Sequence, residues 1–139
     1  ENHKMLVENS GLLTVAALKH LDCKGKKIVS ILSGGNMDVI TLSSVVQHGL
    51  IERGRVFTVS VQLPDRPGEL VNVANVIAKL KGNVIRLEHN QFVSINRNSA
   101  VELRITLEAF GHEHKKEIID ALRNHGYDPK EESPTGLYE

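Results

Sequence analysis

The sequence predicts an α+β chain made of two unlike parts, and three observations carry that prediction. Two stretches of the second half, RVFTVSVQL (residues 55–63) and AVELRITLEAF (residues 100–110), alternate apolar and polar residues with the period of a half-buried strand. Two further stretches place apolar residues at helical spacing between and after strands. The first 48 residues instead read as an Ala/Leu-rich helix, a short β-branched run and a glycine turn, which is a slice of an α/β sheet.

In that first part, LLTVAALKHL (residues 12–21) suits a buried helix, with Asn9 or Ser10 as its cap. IVSIL (residues 28–32) is expected to be a strand covered on both faces. SGGN (residues 33–36) follows, with Asn36 placed to cap the next helix. MDVITLSSVVQHG then reads as a helix ending at Gly49. Residues 49–54, GLIERGR up to Arg55, form the expected linker.

The second part opens with a strand whose Phe57, Val59, Val61 and Leu63 face one way and Thr58, Ser60 and Gln62 the other. PDRPGEL breaks it, because Pro64 and Pro67 cannot continue a ladder and Gly68 permits an open turn. Leu70, Val73, Ala74, Ile77 and Leu80 then mark one face of a helix ending near Gly82. NVIRLEHNQF (residues 83–92) is a second strand, INRNS a turn, and residues 100–110 a third strand with Val101, Leu103, Ile105 and Leu107 on its apolar side. A helix from about His112 to His125 uses Ile118, Ile119 and Leu122 and stops at Gly126. A weak fourth strand falls within residues 127–132. The β-α-β-β-α-β order is the ferredoxin-like arrangement, read as a mixed sheet with two helices on one side. The expected organisation is therefore residues 1–48, a linker at 49–54, a domain at 55–132 and a tail at 133–139.

Composition excludes several functions. The 139 residues are 40% hydrophobic and 24% charged, ordinary for a globular chain. Lys plus Arg and Asp plus Glu are both 17, so the basic excess that carries phosphate binding is missing. Neither nucleic acid nor an anionic membrane is an expected partner. No apolar run approaches the roughly 20 residues of a membrane helix. The single thiol, Cys23, fits a reducing, cytoplasmic location and has no context for catalysis. The chain starts at Glu1 without an initiator Met or signal-peptide layout, and is read as a piece of a longer protein.

The second part resembles an ACT domain, a regulatory module that binds small ligands, usually amino acids. The resemblance rests on the element order, on PDRPGEL between first strand and first helix, and on KGNVIRLEHNQ entering the second strand. The first part is similar to the end of the catalytic domain of fold-type-II pyridoxal-phosphate enzymes, on ENSGLLTVAALKH followed by a strand and LSGGN. Both together, in this order, resemble bacterial threonine ammonia-lyases that carry one C-terminal ACT domain.

That resemblance implies site residues. Ser33 would donate a hydrogen bond to the pyridine nitrogen of pyridoxal 5'-phosphate in the full-length parent, with Gly34 and Gly35 permitting close approach and Asn36 bracing the loop. A neutral hydroxyl does not stabilise a pyridinium as a carboxylate would. The Schiff-base lysine and phosphate loop of the family have no counterpart, since Lys4, Lys19, Lys24, Lys26 and Lys27 sit in no matching context. This chain alone is expected to hold no cofactor tightly and to catalyse nothing. An effector site is expected at Asp65, Pro67, Gly68, Glu69, Leu70, Asn83 and Val84. There, helix N–H groups suit a carboxylate, Asp65 the ammonium, and the Asn83 amide either group. A second copy of the domain would complete the site and make a homodimer, sparing open sheet edges. Isoleucine or valine is the first expectation for the effector, with serine or threonine remaining open.

Plainer readings stand beside these. S-G-G-N after a strand is also a simple turn, PDRPG a competent turn, and Asn83 a competent helix stop. The module could serve only for dimerisation, stand free of any enzyme, or belong to a serine dehydratase or serine racemase. His112 and His114 are spaced i, i+2, which does not place both on one helix face for a metal. His89 alternates with Ile85 and Leu87, as a sheet-face residue or a ligand-site neighbour.

Overall fold

A computed structural model describes residues 5–90 and 100–133, and the chain divides into two compact units, residues 1–46 and 47–139. The expected turn at 95–99, the end of the second strand at Gln91 and Phe92, Lys4 and all but the first residue of the tail lie outside the described residues.

The second unit contains one sheet of four strands: β1 (Val56–Pro64), β2 (Asn83–Asn90), β3 (Ala100–Glu108) and β4 (Lys130–Glu132). Their order is β2-β3-β1-β4. β1 runs against β3 in unbroken register from Val56↔Glu108 to Pro64↔Ala100. β4 pairs on the other edge of β1, Thr58↔Glu132 to Ser60↔Lys130. Every pairing is antiparallel, so the expected mixed sheet is corrected. The physical reason is topological. Each helical crossover returns the chain one strand further out, so the like-directed strands are never neighbours.

Alternation places the core where the sequence put it. Phe57, Val59, Val61 and Leu63 of β1 and Val101, Leu103, Ile105 and Leu107 of β3 are all buried. Two helices cover that face: α3 (Glu69–Lys79) and α4 (His112–Asn124), numbered after two earlier helices described below. α4 contributes Ile118, Ile119 and Leu122, as expected. α3 contributes Val73, Val76 and Ile77, with Leu80 partly buried. The expected Ala74 is exposed and Leu70 is 37% exposed, so the buried stripe is 73-76-77-80 and lies one step round the helix from the one expected. Each fully buried Val, Leu or Ile stabilises the domain by about 1.5–3 kcal/mol relative to exposure.

Glycines end the helices by shape. Gly126, at φ +88°, follows α4, and Tyr127 N–H donates back to Leu122 O at 3.1 Å, the closure of a left-handed C-terminal turn. Gly82 meets a different need. A Cβ there would lie 2.8 Å from Ile77 Cγ2 and 3.0 Å from Ile118 Cδ1, where both helices meet the start of β2.

The opposite sheet face is polar, as expected, yet partly closed. Thr58 and Thr106 hydroxyls pair at 3.0 Å, and Ser60 Oγ donates to Glu102 at 3.1 Å; all three hydroxyl residues are buried. Arg104 reaches across β1 to Glu132 and stands 3.9 Å from Glu88, which also pairs with Arg86 at 2.8 Å. The Glu132 hydrogen bond holds the Arg104 guanidinium above its ordinary pKa.

In the first unit, 3-10 turns flank a five-residue helix α1 (Leu13–Ala17); a longer helix α2 spans Val39–Glu52 and contains the division between the units. Four expectations are corrected. Asn9 takes helical dihedrals and makes no cap, while Ser10 Oγ donates to Glu8 at 2.7 Å instead of to the backbone. Residues 28–32 form no strand. The described residues supply that run with no ladder partner, and Val29 and Ile31 are 88% and 73% exposed. Asp38, not Asn36, caps α2 through Thr41. The helix also continues past Gly49 to Glu52. Its stop is Gly54 at φ +64°, with Arg55 N–H donating to Leu50 O at 2.8 Å. Among the described residues, no helix is long and apolar enough to cross a membrane.

Candidate functional site

The loop from β1 to α3 is shaped by its prolines and glycine. Arg66 N–H donates to Pro64 O at 2.8 Å, which folds the chain back directly after the strand. Gly68 then takes φ +96° as the residue before α3, with open space where a Cβ would stand. Conformation, not crowding, therefore requires glycine here. Asn72 N–H donates to Gly68 O at 3.0 Å and starts the helical ladder.

This loop borders a cavity of about 310 Å³. Its wall includes Asp65, Pro67, Gly68, Glu69 and Leu70, five of the seven expected effector residues, together with Arg66 and His89. Leu63, Pro64 and Val101 join Pro67 and Leu70 in the apolar part of the lining. That volume is at the lower end of the range of small-molecule sites. Glu69 accepts a hydrogen bond from the Tyr127 hydroxyl at 3.3 Å. Burial, then the Glu69 charge, raises the Tyr127 pKa, so the phenol stays a donor at neutral pH. Among the described residues, Asp65 and His89 have no side-chain hydrogen-bond partner, and both line the cavity.

Asn83 and Val84 do not join this cavity within one chain. Asn83 pairs with Glu108, at the end of the sheet opposite Pro64, and its amide donates to Glu108 at 3.4 Å. β2 is an outer strand, and Val84, Ile85 and Leu87 are 39–48% exposed along it.

The Ser33–Asn36 turn belongs to the first unit. Glu8 N–H donates to Gly34 O at 3.2 Å. A Cβ on Gly34, at φ +76°, would lie 2.1 Å from Glu8 Oε1, and one on Gly11 would lie 1.7 Å from Ser33 O. The two glycines let the segments touch. Ser33 and Asn36 are exposed, Gly35 approaches Leu6 O, and Glu8 covers one side of the loop.

A second cavity of about 380 Å³ lies at the start of α4, lined by Phe110 to His114 and Glu117. Its two histidines are engaged elsewhere. His114 accepts from Phe110 N–H at 3.0 Å, so its other nitrogen donates to Leu80 O at 2.6 Å. His112 Nε2 is 3.0 Å from Glu52 O. Among the described residues, no three His, Cys, Asp or Glu side chains are grouped to hold a metal. Cys23 is half-buried, its Sγ 3.9 Å from Leu18 O.

The βαββαβ order and the two-layer packing define the second unit as a ferredoxin-like α+β domain. By sequence the chain is homologous to L-threonine ammonia-lyases. It is 40% identical over 130 residues to the L-threonine ammonia-lyase of Geobacter sulfurreducens, covering 91% of this chain and 32% of that protein. The L-threonine ammonia-lyase of Thermotoga maritima is 33% identical over 129 residues, 92% of this chain and 32% of its own. A biosynthetic L-threonine dehydratase of Pasteurella multocida is 29% identical over 134 residues, 92% of this chain and 25% of its own. The chain thus spans about a third of the length of the first two relatives. No family model matches it.

Proposed function

We propose that this chain is the C-terminal, effector-sensing and dimerising part of a pyridoxal-phosphate-dependent L-threonine ammonia-lyase, cytoplasmic, whose whole converts threonine to 2-oxobutanoate and ammonia. The observation that carries the reading is the cavity at the β1–α3 loop. There an apolar wall meets Asp65, Arg66, Glu69, His89 and a helix N-terminus, groups of both signs suited to a zwitterion. Sequence relationship to enzymes named for threonine supports the choice of parent. Residues 55–132 would be the regulatory domain and residues 1–48 the catalytic remnant.

The outer edge of β2 supports pairing with a second copy. Two such edges running antiparallel would carry the second copy's Asn83 and Val84 toward the end of β2 where His89 lies, and so toward the cavity. An effector then regulates only by its difference in affinity for two arrangements of that pair. Isoleucine and valine suit the apolar wall, while serine and threonine would use its polar rim.

In the parent, Ser33 would meet the pyridine nitrogen of the cofactor, whose ring supplies an electron sink for elimination. The fit is to one edge only, because Glu8 occupies the side of Gly34 and its N–H already takes the Gly34 carbonyl. Gly35 would permit close backbone approach, and Asn36 would brace the loop.

Thermal melting of the chain with each of the twenty amino acids tests the proposal. A ligand at 100 times its Kd stabilises by about 2.7 kcal/mol. For a domain of this size that raises Tm by roughly 10 °C or more. A Tm unmoved by every amino acid at millimolar concentration contradicts effector sensing and leaves the unit as a pairing module.

A further inference from the structure

Strand β2 carries an irregularity that decides what faces the cavity. Val84 stands opposite Leu107, and Leu107 points into the core. Strict alternation from Val84 would turn residue 89 to the opposite, polar face. The register shifts between Val84 and Arg86, leaving Ile85 as an extra residue. Beyond it Leu87 stands opposite Ile105 and His89 opposite Leu103, both core residues, while Arg86, Glu88 and Asn90 take the polar face. Bulges of this kind re-aim side chains beside sites. Here the bulge puts an imidazole on the side of the sheet where β1 and β3 carry aliphatic and aromatic residues.

From this placement, together with the effector reading on which it rests, we propose that His89 is a ligand-contacting residue. It donates a hydrogen bond to the carboxylate of a small α-amino acid whose ammonium meets Asp65. The assignment follows from the groups round the cavity. Glu69 is engaged by the Tyr127 hydroxyl, which leaves Asp65 as the acceptor without a described partner. His89 and the start of α3 stand as donors, and Arg66 adds positive charge. Leu63, Leu70 and Val101 provide the surface for a short aliphatic side chain. The bulge thus makes His89 part of the recognition set, a role that its place in the sequence alone leaves open.

Calorimetric titration of the whole chain with L-isoleucine, L-valine, L-serine and L-threonine gives the reference affinity. The tightest of the four is then compared with the amine lacking its carboxylate. His89→Leu is expected to weaken the amino acid tenfold or more, and His89→Gln, which keeps a donor, by no more than about threefold. Binding of the amine is expected to be unchanged by either substitution. His89 is exposed, so folding should survive; His89→Ala is a second variant with the same expected loss. A His89→Leu or His89→Ala affinity within twofold of the unmodified chain overturns the proposal, as does an equal loss for the amine. Should the unmodified chain bind none of the four, the amino-acid reading of the cavity falls and this role with it. Binding that is indifferent to His89 sinks this role alone.

Discussion

Asp38 closes the start of α2 with both carboxylate oxygens, one on the Thr41 N–H at 2.8 Å and the other on the Thr41 hydroxyl. The side-chain bond from Thr41, then its backbone N–H, holds the Asp38 pKa below its ordinary value. A depressed carboxylate contributes support that is fully present above the unfolded value of about 3.9 and is lost as pH falls through the folded one. The Thr41 amide resonance should therefore follow a titration centred below that value, and Asp38→Ala should abolish it. In the core, Leu122→Ala removes a fully buried side chain from the α4–sheet contact. A loss of about 2–5 kcal/mol in urea unfolding is expected. Gly82→Ala adds a methyl where Ile77 and Ile118 already close the space and should cost about 1–3 kcal/mol by the same measurement.

Among the elements, β4 has three residues and is held from both sides of the sheet. Glu132 pairs with Arg104 on the polar face, and Glu131 with Lys115 of α4, whose ammonium also lies 5.5 Å from the centre of the Phe57 ring. Such partly exposed pairs are worth up to about 1 kcal/mol each. Replacing both glutamates by glutamine should speed amide exchange at Lys130–Glu132 and leave β3 protected. Exchange unchanged at β4 would show that backbone pairing alone retains it. The four strands of this sheet were legible in the sequence for different reasons. Those of β1 and β3 follow from period-two alternation, because each buries one face. Residues 28–32 have equal strand chemistry and form none, since a strand also needs a neighbour that a local pattern cannot supply. The sequence reading ended this helix at Gly49 and left Gly54 in the linker. Only Gly54 adopts the left-handed turn with its closing bond from Arg55, and Gly49 is simply tolerated inside α2.

For the domain as a whole, the open edge of β2 is the feature that a second copy would cover. Ile85→Lys places a charge on that edge; if pairing there is correct, sedimentation is expected to report a dimer for the unmodified chain and monomers for the variant. The candidate site was half legible. Pro64, Pro67 and Gly68 announce a loop before a helix, and the cavity forms there. Asn83 and Val84 were grouped with that loop by resemblance, yet a single chain holds them at the other end of the sheet, and only pairing would reunite them. Alternation grouped His89 with Ile85 and Leu87; the register keeps His89 with Leu87 on the core side, while Ile85 falls in a bulge that leaves no mark in the residue pattern. The most direct test of an amino-acid site at this cavity is amide chemical-shift mapping during titration with the amino acid that raises Tm most. The account predicts that the largest, saturable shifts fall on Asp65, Arg66, Gly68, Glu69, Leu70 and His89. Shifts that saturate while those six amides stay unmoved would contradict it.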